Sequence, residues 1–393
     1  MKHPLRILLL TPHLGGGGAE KVIALLARGL STAQGLSTDK NVEKYDVHLG
    51  LVTQGTTAAC GFPPGVAVHA LAEPRVRAGA LGLLKLVRKL RPRVVVSGMF
   101  HLNFLVLLLR PLFPAGTQVI IRQNGTLSAS LAFDGLPFYT RFLYRLLYRR
   151  ADRVICQSAA MAEELAVELG VARDRLAVLA NPVEVDDIRA RVACLPDQWN
   201  GPGPHLLAVG RLSREKGLDL LLGALTILRR KCGGADLVIA GAGPEEARLR
   251  ALCNVLGLES SVRFAGHVKE PWVFYPGATA FVLSSRHEGL PNALLEAAAA
   301  GLPIVATPAS QGLVDLLQGK PGAWVAAEPS SQSLAAALIR ALDSLASAQR
   351  FEHSFIDAFR ADRAIAAFAN LIEPLTEAHT DTAIDPVPDR RRP

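Results

Sequence analysis

Two successive series of short apolar runs, each run followed by a helical pattern, restrict what this chain can fold into. The first series is RILLLTP (6–12), VHLGLVT (47–53), RVVVSGM (93–99), QVIIRQ (118–123), RVICQS (153–158) and LAVLANP (176–182). The second is HLLAVGRL (205–212), ADLVIAGAG (235–243), VRFAGHV (262–268), AFVLSS (280–285), PIVATP (303–308) and AWVAA (323–327). Between them lie segments such as EKVIALLARGLS (20–31) and AAMAEELAVELG (159–170), with apolar residues three and four apart. Continuous apolar strands alternating with helices imply parallel sheets covered on both faces. At 393 residues, half of them apolar, the chain exceeds one ordinary core. The aperiodic, Pro/Gly-rich LPDQWNGPGPH (195–205) separates the series. The expected fold class is therefore α/β, with two doubly wound Rossmann-like domains at 1–190 and 205–375, a linker at 191–204 and a disordered tail at 376–393. Ligands of such sheets sit beyond the carboxyl ends of the strands, so two in tandem would share a cleft.

Composition narrows the partners. The five cysteines, Cys60, Cys156, Cys194, Cys232 and Cys253, are widely spread, which fits a reducing cytosol and no metal or redox motif. The start, MKHPLRILLLTPHL, reads as a first strand, not a secretory signal, and FLVLLLRPLF is broken by Arg110 and Pro111 well short of a membrane span. Residues 1–190 hold 23 Lys plus Arg against 14 Asp plus Glu, so the first half faces something negative. The excess concentrates in LLKLVRKLRPR (83–93) and PFYTRFLYRLLYRRADR (137–153). In the second, Phe138, Phe142, Leu146 and Tyr139, Leu143, Leu147 follow helical spacing beside Arg141, Arg145, Arg149 and Arg150. That pattern suits an interfacial helix on anionic headgroups; an ordinary amphipathic helix with a basic solvated face has the same spacing. No groove-reading or stacking motif points to nucleic acid.

Four stretches carry chemistry. LLLTPHLGGGGAEK places glycines between a strand and a helix, where backbone amides can approach a phosphate or sugar, although it lacks dinucleotide-turn or P-loop spacing. LLAVGRLSREKGLDLLLGAL follows its strand with Arg211 and Lys216, two cations able to clamp a diphosphate and stabilise it as a leaving group; surface charge around a helix start is the plainer alternative. In DLVIAGAGP, Gly241 and Gly243 suit close approach by a base or phosphate, and the strand end at Gly266–Val268 can border a nucleobase. RHEGLPNALLEAAAAGLP sets Glu288 in a loop at a helix entrance and Glu296 about 6 Å deeper. An acidic residue in an otherwise apolar helix needs a partner. Phosphate at the helix entrance, ribose hydroxyls on Glu296 and a sugar beside Glu288 would use every feature.

Taken in order, GGGGAEK, VGRLSREKG, GAGP and EGLPNALLE resemble the retaining nucleotide-sugar glycosyltransferases of family 4, which have the GT-B architecture; the resemblance spans roughly residues 5–375. It implies that Gly17 and Gly18 lie over the donor phosphates and sugar, with Glu20 supporting that turn. Arg211 and Lys216 would hold the diphosphate, and Glu288 would touch hydroxyls of the transferred sugar with the backbone of Gly289, Leu290, Pro291 and Asn292. Glu296 would bind the ribose, and Gly241, Gly243 and Val268 would border the donor. It further implies retention by front-face attack, with a nucleoside diphosphate sugar as substrate and no cofactor or metal.

One departure stands out. Many relatives carry a histidine where QVIIRQNGTLS reads Arg122, Gln123 and Asn124. His101 and Asn103, after the neighbouring strand, can face an acceptor in its place, and Arg122 with Asn124 suits one bearing phosphate. The expectation is a cytoplasmic enzyme, peripheral on the cytoplasmic face of the inner membrane, moving sugar to a lipid-linked or glycan acceptor. A soluble transferase acting on small acceptors and a non-catalytic scaffold subunit are the alternatives; a nicotinamide oxidoreductase is disfavoured by the glycine spacing.

Overall fold

The computed structural model describes residues 4–15, 17–32, 45–54, 65–125, 139–201, 203–345 and 349–377. Every strand expected from the apolar runs is present. The first domain contains β1 (Leu5–Thr11), α1 (Gly18–Thr32), β2 (Tyr45–Thr53), β3 (Ala67–Glu73), α2 (Ala80–Leu90), β4 (Val94–Ser97), α3 (Phe100–Leu109), β5 (Gln118–Arg122), α4 (Tyr139–Tyr148), β6 (Arg153–Cys156), α5 (Ala159–Leu169) and β7 (Leu176–Val178). The second contains α6 (Val185–Cys194), β8 (His205–Val209), α7 (Leu218–Cys232), β9 (Asp236–Ala240), α8 (Glu246–Val255), β10 (Val262–Gly266), β11 (Ala280–Leu283), α9 (Asn292–Ala299), β12 (Ile304–Ala306), α10 (Gln311–Leu317), β13 (Ala323–Val325) and α11 (Ser331–Ser344). A last helix, α12 (Ala361–Glu377), follows.

All pairings are parallel, in the orders β3-β2-β1-β4-β5-β6-β7 and β10-β9-β8-β11-β12-β13. This is the two-domain GT-B arrangement. Strand β3, AVHALAE, has no counterpart among the expected strands, because an edge position leaves it half-exposed and its sequence need not be continuously apolar. Each sheet has a core on both faces, which is why its strands read as unbroken runs of Val, Ile and Leu.

The domain boundaries shift from those expected. Helix α6 packs on the second domain, with Val185 and Ile188 in its core and Arg189 Nε donating to Ala299 O at 3.1 Å. The chain therefore crosses near Val183, ahead of 191–204. It crosses back beside the same point, since Val183 N donates to Phe359 O at 2.8 Å and Ala361 N to Val183 O at 2.9 Å. Helix α12 then buries Phe368, Ala369 and Ile372 in the first domain's core, so residues 361–375 belong to that domain. Helical periodicity shows that a face is buried but not against which sheet. Residues 378–393 of the expected tail lie outside the described residues, as do Cys60, Gly16 and Phe138.

Helix α4 turns Tyr144, Leu147 and Tyr148 inward and leaves Phe142, Leu143 and Leu146 exposed beside Arg145 and Arg149. The side chains of Tyr139 and Arg141 lie outside the described set. Cys156, Cys194, Cys232 and Cys253 are free thiols. Among the described residues no helix is long and apolar enough to cross a membrane.

Candidate active site

The strand order of the second sheet reverses between β8 and β11. Loops from these two strands diverge there and leave a crevice. The β8 loop carries Arg211 and, in a short turn at Arg214–Lys216, Lys216; the β11 loop carries Glu288. Lys216 Nζ lies 2.5 Å from Glu288 Oε1, which also accepts from Ser285 Oγ at 2.7 Å. Glu288 Oε2 makes no hydrogen bond among the described residues, and Glu288 borders a cavity of about 280 Å³ between the domains. Ser158, Met161 and Glu164 of the first domain line that cavity opposite His287, Glu288 and Ser310 of the second. Arg211 is exposed and its side chain makes no hydrogen bond or ion pair among the described residues, leaving its guanidinium available to an anion.

Arg286 braces the two loops. Its guanidinium makes paired 2.8 Å bonds to Asp219 and its amide donates to Glu215 O at 2.7 Å. Burial alone would raise the Asp219 carboxyl; Arg286 outweighs it and holds the group below the usual carboxylate value. Gly241 and Gly243 serve the same loop. A Cβ on Gly241 would stand 1.8 Å from Gly210 O, and one on Gly243 2.3 Å from Leu212 O. Both glycines let the β9 loop pass directly beneath the segment that carries Arg211, and Leu212 N donates to Ala242 O at 3.0 Å. Val268 is half-buried against the core just past β10.

The glycine loop of the first domain meets α9 of the second. Glu20, 5 % exposed, accepts from Gly17 N at 2.8 Å, so it supports the turn as the resemblance implied. Asn292 Nδ2 donates to Gly18 O at 2.7 Å, and a Cβ on Gly18 would come within 2.9 Å of that nitrogen. Gly289 permits an equally close approach, because a Cβ there would meet Gln157 Oε1 at 2.4 Å and Asn124 O at 2.6 Å. The Leu290 amide donates to Gln157 Oε1 at 2.8 Å, so it spans the domains and is not an open donor to a ligand. Pro291 is the N-cap of α9 and is buried. Glu296, fifth in that helix, is 8 % exposed; it pairs with Lys21 Nζ at 2.5 Å and accepts from Trp272 Nε1 at 3.1 Å. Tyr275, wholly buried with Glu296 nearby, is pushed well above the ordinary phenol value by burial and then by that charge.

The residues expected to meet an acceptor are divided. His101 is exposed at the start of α3. Asn103 is fully buried and donates to Arg122 O at 2.9 Å. Arg122 is 3 % exposed, lowered to about 10 by burial, and its Nη2 donates to Asn181 Oδ1 at 2.7 Å. In this arrangement Arg122 and Asn103 are enclosed rather than open to solvent, and Arg122 holds Asn181, which donates to Asn292 Oδ1 at 2.7 Å. Asn124 Nδ2 is turned back to Gly98 O. Gln123 stands among this group with its Oε1 accepting from Tyr148 OH at 2.6 Å.

Lys21, Gln157, Asn181 and Trp272 escaped the sequence reading. Gln157 and Asn181 follow β6 and β7 at their carboxyl ends, where ligand-site residues of such sheets collect, and that rule would have found them.

A family model described as glycosyl transferase 4-like domain matches residues 17–182, and one described as glycosyl transferases group 1 matches residues 203–344. The chain belongs to this glycosyltransferase family. An uncharacterised glycosyltransferase of Methanocaldococcus jannaschii is 27% identical over 249 residues, 60% of this chain and 60% of its own length. The N-acetylgalactosamine-N,N'-diacetylbacillosaminyl-diphospho-undecaprenol 4-alpha-N-acetylgalactosaminyltransferase of Campylobacter jejuni is 27% identical over 318 residues, 77% of this chain and 80% of its own. The structure of Anabaena HepE in complex with UDP and glucose superposes with a TM-score of 0.68 at 17% identity, covering 96% of this chain and 99% of that one. The family match places the glycine loop in the first glycosyltransferase domain and the Arg211, Lys216, Glu288 and Glu296 cluster in the second.

Proposed function

We propose that this glycosyltransferase moves a sugar, with retention of anomeric configuration, from a nucleoside diphosphate sugar to a lipid-linked or polysaccharide acceptor at an anionic membrane surface. The observation that carries the donor half is the crevice between β8 and β11. There a cation and a carboxylate converge beside an interdomain cavity and the amino end of α9. A departing nucleoside diphosphate is a dianion at least, and Arg211, Lys216 and the helix-end amides supply the opposite charge without a divalent ion. Glu288, which borders the cavity, takes hydroxyls of the transferred sugar; Glu296 takes the ribose. Anabaena HepE, solved with UDP and glucose, supports a nucleotide-sugar donor.

Two observations support the acceptor half. The Campylobacter relative is named for a diphospho-undecaprenol acceptor. Residues 76–151 hold 12 Lys plus Arg against one Asp, and helices α2, α3 and α4 of that stretch expose Leu81, Leu108, Phe142 and Leu146 from one layer of the first domain. Exposed leucine and phenylalanine in a stretch with this excess of cations fit the boundary of an anionic bilayer, on the cytoplasmic side where nucleotide sugars are found.

Thermal-shift screening with UDP, GDP, ADP and their sugars, followed by donor turnover with and without a chelator, tests the proposal. Stabilisation by one nucleotide family and metal-independent release of that diphosphate are expected. Nucleotide binding with no turnover of any sugar nucleotide would instead identify a scaffold subunit.

A further inference from the structure

Both oxygens of the Glu296 carboxylate are engaged by protein. Oε1 accepts from Lys21 Nζ at 2.5 Å and Oε2 from Trp272 Nε1 at 3.1 Å, with the carboxylate side chain only 10 % exposed. Lys21 stands on α1 of the first domain, whereas Trp272 and Glu296 belong to the second. The Lys21 ammonium also lies over the Trp272 ring, 5.0 Å from its centroid, so it is seated from two sides. A ribose diol binds a carboxylate by donating its hydroxyls to those same oxygens. With the carboxylate so little exposed, Lys21 therefore stands on an acceptor position that a donor hydroxyl would use.

We propose that Lys21 is a cross-domain latch that competes with the donor. In the donor-free protein its ammonium closes the cleft on Glu296, and the ribose of an entering nucleoside diphosphate displaces it. The inference rests on the assignment of Glu296 to the donor ribose. A carboxylate this deeply buried is costly without a partner, which gives the donor-free protein a reason to keep a cation on it. The other cross-domain bonds nearby, Asn292 to Gly18, Leu290 to Gln157 and Asn181 to Asn292, leave Glu296 untouched, so releasing Lys21 does not require the domains to part. Glu288 differs, since its Oε2 makes no hydrogen bond among the described residues and the residue borders the cavity. Because only unlatched molecules accept the ribose, the latch lowers apparent donor affinity by the unlatched fraction.

Isothermal titration of the full chain with UDP, GDP and ADP, on wild type and on Lys21→Met, Lys21→Arg and Glu296→Gln, tests this, with circular dichroism melts to confirm folding. Glu296→Gln is expected to weaken the preferred nucleotide by about tenfold or more. Lys21→Met is expected to tighten it roughly three- to tenfold, a direction that a merely structural lysine would not produce, while Lys21→Arg stays at the wild-type value. Lys21→Gln carries the same expectation as the methionine variant should that one fail to fold. Unchanged or weaker affinity in Lys21→Met and Lys21→Gln, with Glu296→Gln still impaired, overturns the latch and leaves the donor assignment standing. Full nucleotide affinity in Glu296→Gln, or no binding of any of the three by wild type, overturns the donor assignment and the latch with it.

Discussion

Lys216 Nζ sits 2.5 Å from Glu288 Oε1, joining the loop after β8 to the loop after β11 across the crevice where the second sheet changes direction. Their side chains are 26 % and 11 % exposed, so the pair is partly desolvated, and Ser284 Oγ fixes the Lys216 backbone by donating to its carbonyl at 2.9 Å. The lysine is thus held at the place where diphosphate charge is expected to develop, with Arg211 open to solvent on the same loop.

Removing either cation should act on turnover more than on donor affinity. Arg211→Ala and Lys216→Ala are each expected to lower kcat roughly a hundred- to a thousand-fold, the size of effect seen when one preorganised electrostatic stabiliser is lost. Steady-state release of the nucleoside diphosphate measures this. Wild-type turnover in both variants would remove the leaving-group assignment.

Asn181 is 1 % exposed and joins Arg122 in the first domain to Leu290 and Asn292 in the second. Asn181→Ala leaves a buried guanidinium and the Leu290 carbonyl short of partners, a loss of about 1–3 kcal/mol. Urea unfolding of wild type and variant gives the difference directly. A variant as stable as wild type would show that water or a rearranged neighbour satisfies Arg122.

Arg145 and Arg149 flank the exposed Phe142 and Leu146 on α4. Each basic residue near an anionic surface contributes about 1 kcal/mol. The Arg145→Glu/Arg149→Glu double variant should therefore lose well over tenfold in partition onto phosphatidylglycerol vesicles while keeping its fold. Sedimentation with neutral and anionic vesicles reads this out; equal partition of wild type onto both would defeat the headgroup argument.

His353 is 2 % exposed, and its Nε2 lies 2.8 Å from Leu302 O. Burial lowers it from the ordinary value of 6.5, and the Leu302 bond opposes that only in part. The folded state therefore binds its proton less readily than the unfolded chain. Its contribution to stability is complete above 6.5 and declines as pH falls from there through the lower folded value. The melting temperature should drop between about pH 7 and 5.5, and less so in His353→Gln, which keeps a donor for Leu302. Identical pH slopes in the two proteins would refute it.

Much of the architecture was legible because burial on both faces forces a parallel strand to be apolar along its length, as in RILLLTP and AFVLSS. The Glu288 and Glu296 spacing was legible for a related reason, since an acidic side chain in the apolar NALLEAAAA helix requires a partner. The identity of that partner was not. Lys21 and Glu296 are 275 positions apart and meet only because α1 of one domain faces α9 of the other, which no local period encodes.

The same limit hid α12, whose amphipathic stripe predicts burial but not the return to the first domain, and Arg122, whose charge in sequence suggests exposure although the fold encloses it at 3 %. The sequence by itself determined the buried strands, their alternation with helices and the residue types at each strand end. Only the tertiary structure decided which strand ends confront one another, because the domain orientation that sets those contacts comes from side chains brought together across hundreds of residues.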